Sequence, residues 1–438
     1  KMEEATAGEI QEALEAKLDE MPEPELPEGV RNKLTKLIDG AVDRYQQYIT
    51  WFNNNKERLD PESLLEVNKW VARTKVSYGK LLVHEIWTRT HDKKEGARQA
   101  LAVLENVEEQ HFKGPNREDL RANYLPEAFF VTIQAYRRLG ELAEAEDFVD
   151  MLVERFGESK LSSQAAQLLG YEYLRRRRQL EKEGAAQHDI TLAAQRAGHY
   201  LQKALELDPE QSLQVYLDTA AQLYRMEEYT EAIDILESGL DRFPIEMEQI
   251  RGGQEVGRAQ ILALALMEDA FLELEEWGEV AEYAEQLLEL EEIDNERNNT
   301  QVRNIDYRVD YALAMEELDR WEKAVDYWRE AKAIADKMEG EEGQAAKFRA
   351  TIHLARSYAA QGGEKVDHGY RIVAYYLFSD VKWLQQKSRA DQVEKLFDDY
   401  FRDKWSDLSD YVMNLVETNL SLLRNPESKK VITGLVER

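Results

Sequence analysis

The stretch EYTEAIDILESGLDRFP, Glu228 to Pro244, echoes LQKALELDP, Leu201 to Pro209, at a fixed offset: Pro209 and Pro244 lie 35 residues apart. A period near 34 residues is the length of one helix hairpin. Such a hairpin cannot bury its apolar face alone, so neighbours stack into a continuous core and leave a long concave surface suited to holding another molecule. The pattern points toward binding and does not identify what is bound.

Composition narrows the field. A chain of 438 residues suits either two or three globular domains or one elongated array, and the repeat favours the array. Hydrophobic residues make up 43% and charged residues 33%, with 9 Pro and 22 Gly, the balance of a folded, helix-rich protein. The 87 acidic residues outweigh 57 Lys and Arg, giving a formal charge of −30. That balance argues against nucleic acid or an anionic membrane as partner, because both need clustered cations. A basic partner can be steered by such a field, but acidity that keeps an array soluble is the simpler reading. Without cysteine there are no disulfides, thiolate zinc sites or cysteine nucleophiles. The apolar run Ile261 to Met267 is too short to span a bilayer. The chain opens at Lys1 without a charged-then-apolar signal segment, as a mature or excised chain would, and a bacterial periplasm is slightly favoured over the cytoplasm.

Four regions are expected. Residues 1–29 read as an acidic arm, helical over Lys1 to Leu18, followed by the extended proline-rich linker MPEPELPEG, Met21 to Gly29. Residues 30–125 form a helical region without a clean repeat. There Leu34, Leu37, Ile38, Ala41, Tyr45 and Tyr48 recur at helical spacing, followed by another helix from Pro61 and a long one through Trp70, Val76, Leu81 and Ile86. Residues 126–363 carry the repeats, and residues 364–438 are read as capping helices through Trp383, Leu396, Tyr400, Trp405 and Leu415.

Six copies align from Pro126. The first uses Phe129, Tyr136, Gly140, Leu142, Ala145, Val149 and Leu152, and the second Leu169, Gly170, Tyr173, Ala197, Leu201, Ala204 and Pro209. The third, of standard length, uses Leu213, Tyr216, Ala220, Leu223, Tyr229, Ala232, Leu236, Gly239 and Pro244. A fourth has Leu264, Phe271, Trp277, Ala284 and Leu287, and a fifth Ala312, Met315, Trp321, Ala324, Trp328 and Ala331. The sixth keeps Leu354, Ala355, Tyr358 and Gly362 in its first helix only. These positions resemble the tetratricopeptide repeat (TPR) family, of a bacterial kind. The resemblance implies an all-α fold: an α-solenoid of TPR-like helix pairs with non-repeat flanking helices. Small residues such as Ala220 and Ala232 let the helices of a pair approach, Tyr229, Trp277 and Trp321 are expected to fill the wedge between pairs, and Pro209 and Pro244 stop second helices. By comparison with the family, the second copy carries about fifteen extra residues between its helices, including RRRR and EKEGAAQHD. Ile245 to Ala259 and Glu291 to Gln301 either lengthen helices or protrude as loops.

Catalytic chemistry finds little footing. His84, Glu85 and His91 come nearest to a metal motif, but residues seven apart on a helix lie about 10 Å apart along the axis, too far to share an ion. They read as surface or satisfied core histidines, and no metal or cofactor is expected. Acidic pairs such as Asp398-Asp399 carry no signal in so acidic a chain. No Gly-rich phosphate loop, nucleophile elbow or Ser, His and Asp set appears, so the chain is read as not an enzyme. Arg175 to Arg178 has the charge to bind phosphate, nucleic-acid backbone or an acidic peptide, yet Glu172, Glu181 and Glu183 lie within reach and a solvated helix end is the simpler reading.

In the TPR family the ligand groove is lined by inward positions of each first helix. The resemblance nominates Tyr171 and Leu174; Leu217, Ala221 and Tyr224; Leu262, Ala265, Asp269 and Leu272; Asp306, Val309, Leu313 and Glu316; and Ile352 and Arg356. The Lys, Asn and Arg set of a carboxylate clamp is missing its Asn pair. An apolar groove with scattered acids suits an amphipathic helix or extended peptide with basic flanks, while packing of these residues against a neighbouring helix or the arm is an equal alternative. The expected function is a non-catalytic protein-protein interaction scaffold binding a peptide or helix. The alternatives are an assembly or secretion factor of a bacterial envelope complex and a regulatory repeat region of an enzyme whose catalytic domain is absent, with a homo-oligomer also possible.

Overall fold

A computed structural model describes residues 28–113, 118–379 and 386–436, and among them every regular element is helical. The arm at Lys1 to Leu18, most of its linker, and Trp383 lie outside the described residues. Two compact units meet in sequence at Pro244, the proline that ends the EYTEAIDILESGLDRFP segment.

The unit ending at Pro244 begins with α1 (Glu28–Asn55) and α2 (Pro61–Leu82). Asp60 caps α2 by accepting from the Glu62 and Ser63 amides, and Pro61 fills the first position, where no amide hydrogen is needed. The sequence predicts a helix from Pro61 and a separate long one through Trp70, Val76, Leu81 and Ile86, whereas one continuous helix runs through Trp70, Val76 and Leu81. It ends at Leu82, and Ile86 falls on the single turn α3 (Glu85–Thr88). The break lets Trp87 fold over Gly96 at the start of α4 (Lys93–Leu104), where a Cβ would lie 2.6 Å from the Leu82 carbonyl. A π-helical turn, Glu108–Phe112, then precedes the repeats.

The pairs follow as α5 (Glu118–Leu139) with α6 (Leu142–Phe156), α7 (Lys160–Glu183) with α8 (Gln187–Leu207), and α9 (Leu213–Arg225) with α10 (Tyr229–Arg242). Pro126, read as an opening residue, sits inside α5. The extra residues of the second copy form no protruding loop: they extend both of its helices, to 24 and 21 residues, and the left-handed Gly184 (φ 65°) closes the first. At Gly170 the helices touch so closely that a Cβ would lie 2.7 Å from Leu201 Cγ. Leu207 and Arg242 end their helices two residues before Pro209 and Pro244, as expected where a proline follows without a donor to continue the helix.

The unit from Ile245 opens with α11 (Met247–Arg251) and continues with the pairs α12 (Arg258–Glu273) with α13 (Trp277–Asn298), α14 (Ile305–Glu317) with α15 (Trp321–Ala335), and α16 (Gly340–Ala360) with α17 (Glu364–Ser379). Of the two long connections, Glu291 to Gln301 mostly lengthens α13. Its exit is held by Asn295, which donates to the Val302 carbonyl at 2.6 Å and accepts from the Val302 amide at 2.8 Å. Helices α18 (Lys387–Tyr400), α19 (Trp405–Thr418) and α20 (Pro426–Val436) close the chain over a core that includes Phe348, Tyr376, Phe397, Phe401 and Val412.

One turn recurs in both units. Gly140, Glu227, Glu275, Asp319 and Gly362 all have left-handed φ, each two residues before a second helix begins. The following amide reaches back to the first helix, Glu228 N to Leu223 O at 3.0 Å, Glu276 N to Phe271 O at 3.0 Å and Arg320 N to Met315 O at 2.7 Å. This is the Schellman closure that satisfies carbonyls left open at a helix end. Tyr229, Trp277 and Trp321 start the second helices but are only half-buried. The wholly buried wedge is Trp328, about two turns further into α15.

Candidate functional site

In the unit ending at Pro244, the predicted inward residues lie on α7 and α9. Leu174 and Leu217 are covered by the protein's own helices, while Tyr171 and Tyr224 remain half-buried. Tyr171 donates to Asp218 Oδ2 at 2.8 Å, Gln214 donates to Asp218 Oδ1 at 2.9 Å, and Arg177 donates to Gln222 Oε1 at 2.9 Å. Asp218, Gln222 and Arg177 are all buried, so these bonds form a polar seam between successive first helices. The seam corrects the reading of the arginine run as a solvated helix end. Arg175 and Arg176 are exposed, but Arg177 is core, because the helix continues to Glu183 and carries that position against α9.

In the other unit the predicted residues lie on α12, α14 and α16. Leu262, Ile352 and Glu316 are buried, Asp269, Leu272, Leu313 and Arg356 are half-buried, and Asp306 is exposed. Glu316 is a packed node. Its carboxylate accepts from Trp328 Nε1 at 3.0 Å, Ser357 Oγ at 2.5 Å and His353 Nδ1 at 2.9 Å, and it pairs with Arg356 at 3.3 Å. The Trp328 ring stacks on His353 with centroids 4.6 Å apart. A buried carboxylate this well supplied with donors ties α14, α15 and α16 together.

Beside it lies a different kind of carboxylate group. Glu268 and Asp269 on α12 stand in the same field as Asp306 and Asp310 on α14. Burial, with Asp306 and Glu273 nearby, pushes the Asp269 carboxyl up to about 6. Burial and the neighbouring acids likewise hold Glu268 well above the usual carboxylate range and raise Asp310, against which Arg349 of α16 pulls downward. Burial, then Glu268, raises the Tyr307 hydroxyl. Sequence reasoning named Asp269 and Asp306 but missed Glu268 and Asp310. The available signal was Asp306 and Asp310 at i, i+4, a like-charged pair on one helix face. Next to this strip, an open pocket of about 610 Å³ lies between α16 and α18, lined in part by Arg349, His353, Arg356, Arg389, Asp399 and Tyr400.

His91 stacks on Trp87 with centroids 4.2 Å apart and bonds Asp39 through Nε2 at 3.0 Å. Among the described residues no group of three or more His, Asp or Glu converges to hold a metal ion, and no helix is long and apolar enough to cross a membrane.

No protein-family profile matches the chain, and no curated protein matches it. Solved structures do. BtubC (BKLC) from P. vanneervenii shares 15% identity over 62% of this chain and 94% of its own, with a TM-score of 0.35. The apo form of RapI shares 12% identity over 93% and 95%, at 0.31. A tetratricopeptide repeat protein from Parabacteroides merdae shares 14% over 70% and 98%, at 0.25. The chain is similar to these proteins, and its own helix pairs and their recurring turn give it an all-α fold of TPR-like hairpins.

Proposed function

We propose that the protein is a non-catalytic interaction scaffold that holds a peptide or helix of another protein along the first helices of the unit from Ile245. The observation that carries this reading is the strip of half-buried side chains on those helices, where Leu272 and Leu313 stand among the carboxylates of Asp269, Asp306 and Asp310. Apolar side chains flanked by charge are the composition of an interface core with a polar rim. In the unit ending at Pro244, the half-buried Tyr171 and Tyr224 support a lesser role, since Tyr171 is already bonded to Asp218 and Tyr224 packs edge-on against Tyr229.

The test is capture of native partners on immobilised protein, with bound proteins identified by mass spectrometry. Leu272→Asp with Leu313→Asp is expected to reduce retention at least tenfold, in line with the loss of about 1.4 kcal/mol or more of binding energy. Leu37→Asp, at a residue 72% exposed in the other unit, is expected to leave it unchanged. A charge at the buried Leu217 would only report unfolding. Equal retention by all variants, with thermal stability intact, would refute the proposal.

A further inference from the structure

We propose that the strip formed by Glu268 and Asp269 on α12 and Asp306 and Asp310 on α14 receives a Lys or Arg side chain from the bound segment. This rests on the peptide-binding reading above and adds the chemistry of the occupant. Glu268 carries the argument. The residue is 2% exposed, its Oε1 has no hydrogen-bond partner, and the groups acting on it are the carboxyls of Asp310, Asp269 and Asp306. A buried carboxyl oxygen without a hydrogen-bond partner is unfavourable, and a cation that brings donors to it removes the penalty and favours ionisation.

The surroundings strengthen the demand for positive charge. Glu273 on α12 adds to the field at Asp269, and Glu291 on α13 adds to that at Tyr307. Arg349 on α16 faces Asp310, yet does not return that carboxyl to its ordinary value. Lys and Arg each carry several donors on one cation, which suits carboxyls distributed over two helices. Helical spacing places Leu272 three residues from Asp269, and Leu313 three from Asp310, on the same faces. A charged head on an aliphatic stem matches carboxylates interleaved with leucines. Because the raised carboxyls retain protons toward neutral pH, an entering cation displaces them, and affinity is expected to rise with pH.

The test uses the full chain and fluorescein-labelled, C-amidated peptides of sequence LALXALAL with X as Lys, Arg, Gln or Glu, read by fluorescence anisotropy in 0.15 M salt. At pH 7.5 the Lys and Arg peptides are expected to bind at least tenfold more tightly than the Gln peptide, with the preference shrinking several-fold at pH 5. Glu268→Gln with Asp269→Asn and Asp310→Asn is expected to abolish the preference. Glu279→Gln with Glu282→Gln and Glu322→Gln removes the same charge from exposed positions on second helices and is expected to retain it. Asp310→Asn alone provides a milder variant should the triple change perturb folding.

If all four peptides bind alike and Leu272→Asp with Leu313→Asp weakens them all, the groove stands and the cation receptor is wrong. A preference lost equally in both triple variants assigns it to net charge and overturns the proposal, as does binding of no peptide. A rise in melting temperature with calcium or magnesium that the cluster variant loses would overturn it in favour of a metal.

Discussion

Replacing Asp269 by Asn is expected to stabilise the protein at neutral pH, and the magnitude follows from its surroundings. The carboxyl titrates near 6 in the folded chain against an ordinary 3.8, so the native state binds the proton more tightly than the unfolded state does. Stability therefore falls as pH rises: the penalty is absent below about pH 4, grows between about 4 and 6, and is complete above. A difference of roughly 2 pH units at 1.36 kcal/mol each gives about 3 kcal/mol, an upper figure because Asp269 keeps some contact with water. For a unit of this size, 3 kcal/mol corresponds to a rise of about 6–12 °C in melting temperature. Asn keeps the shape and removes the charge, and it also relieves Asp310, whose carboxyl feels Asp269. The assay is thermal and urea unfolding of wild type and Asp269→Asn at half-unit steps from pH 4 to pH 8. The two curves should meet near pH 4 and separate progressively to pH 7. A variant no more stable than wild type at pH 8, or a constant difference across the range, would refute the assignment of Asp269 as a desolvated charge.

Further outcomes test the packing. Gly170→Ala places a Cβ 2.7 Å from Leu201 Cγ and should cost about 1–3 kcal/mol by urea unfolding, while Gly278→Ala, with nothing within 4 Å of the new Cβ, should not destabilise. Asp319→Gly relieves a non-glycine residue at φ 56° and should raise stability by about 0.5–1 kcal/mol, with Glu227→Gly behaving alike. Trp328→Phe removes the Nε1 donor to buried Glu316 and should cost about 1–3 kcal/mol or more, while Glu316→Gln should recover part of that loss in the double variant, measured by a mutant cycle.

The hairpin architecture was legible because its causes are local. The 35-residue return of proline, the small residues at Ala220 and Ala232, and the stops at Pro209 and Pro244 act within one or two helices, so their positions in the chain express their physical roles. Loop or helix was not decided the same way at the insertion after Tyr173. Its charges and Gly184 suit a loop, and it becomes helical because Arg177 and Leu180 find burial against other helices, a contact that no local pattern contains. Trp321 and Trp328 show the same limit. Trp321 is the expected wedge and Trp328 another repeat position of the same helix, yet packing buries only Trp328 completely.

The sequence by itself determined that the chain is built of helix pairs and, at Tyr229, Trp277 and Trp321, where second helices begin. The structure decided which side chains of the first helices meet water. It sealed Leu174, Leu217, Leu262 and Ile352 inside, spent Glu316 on holding three helices together, and drew Glu268 and Asp310, unremarkable among 87 acidic residues, into one desolvated group with Asp269 and Asp306. Helix formation depends on neighbours three and four residues away, whereas burial and electrostatic coupling depend on which surfaces come together across tens of residues, and that is set by tertiary packing.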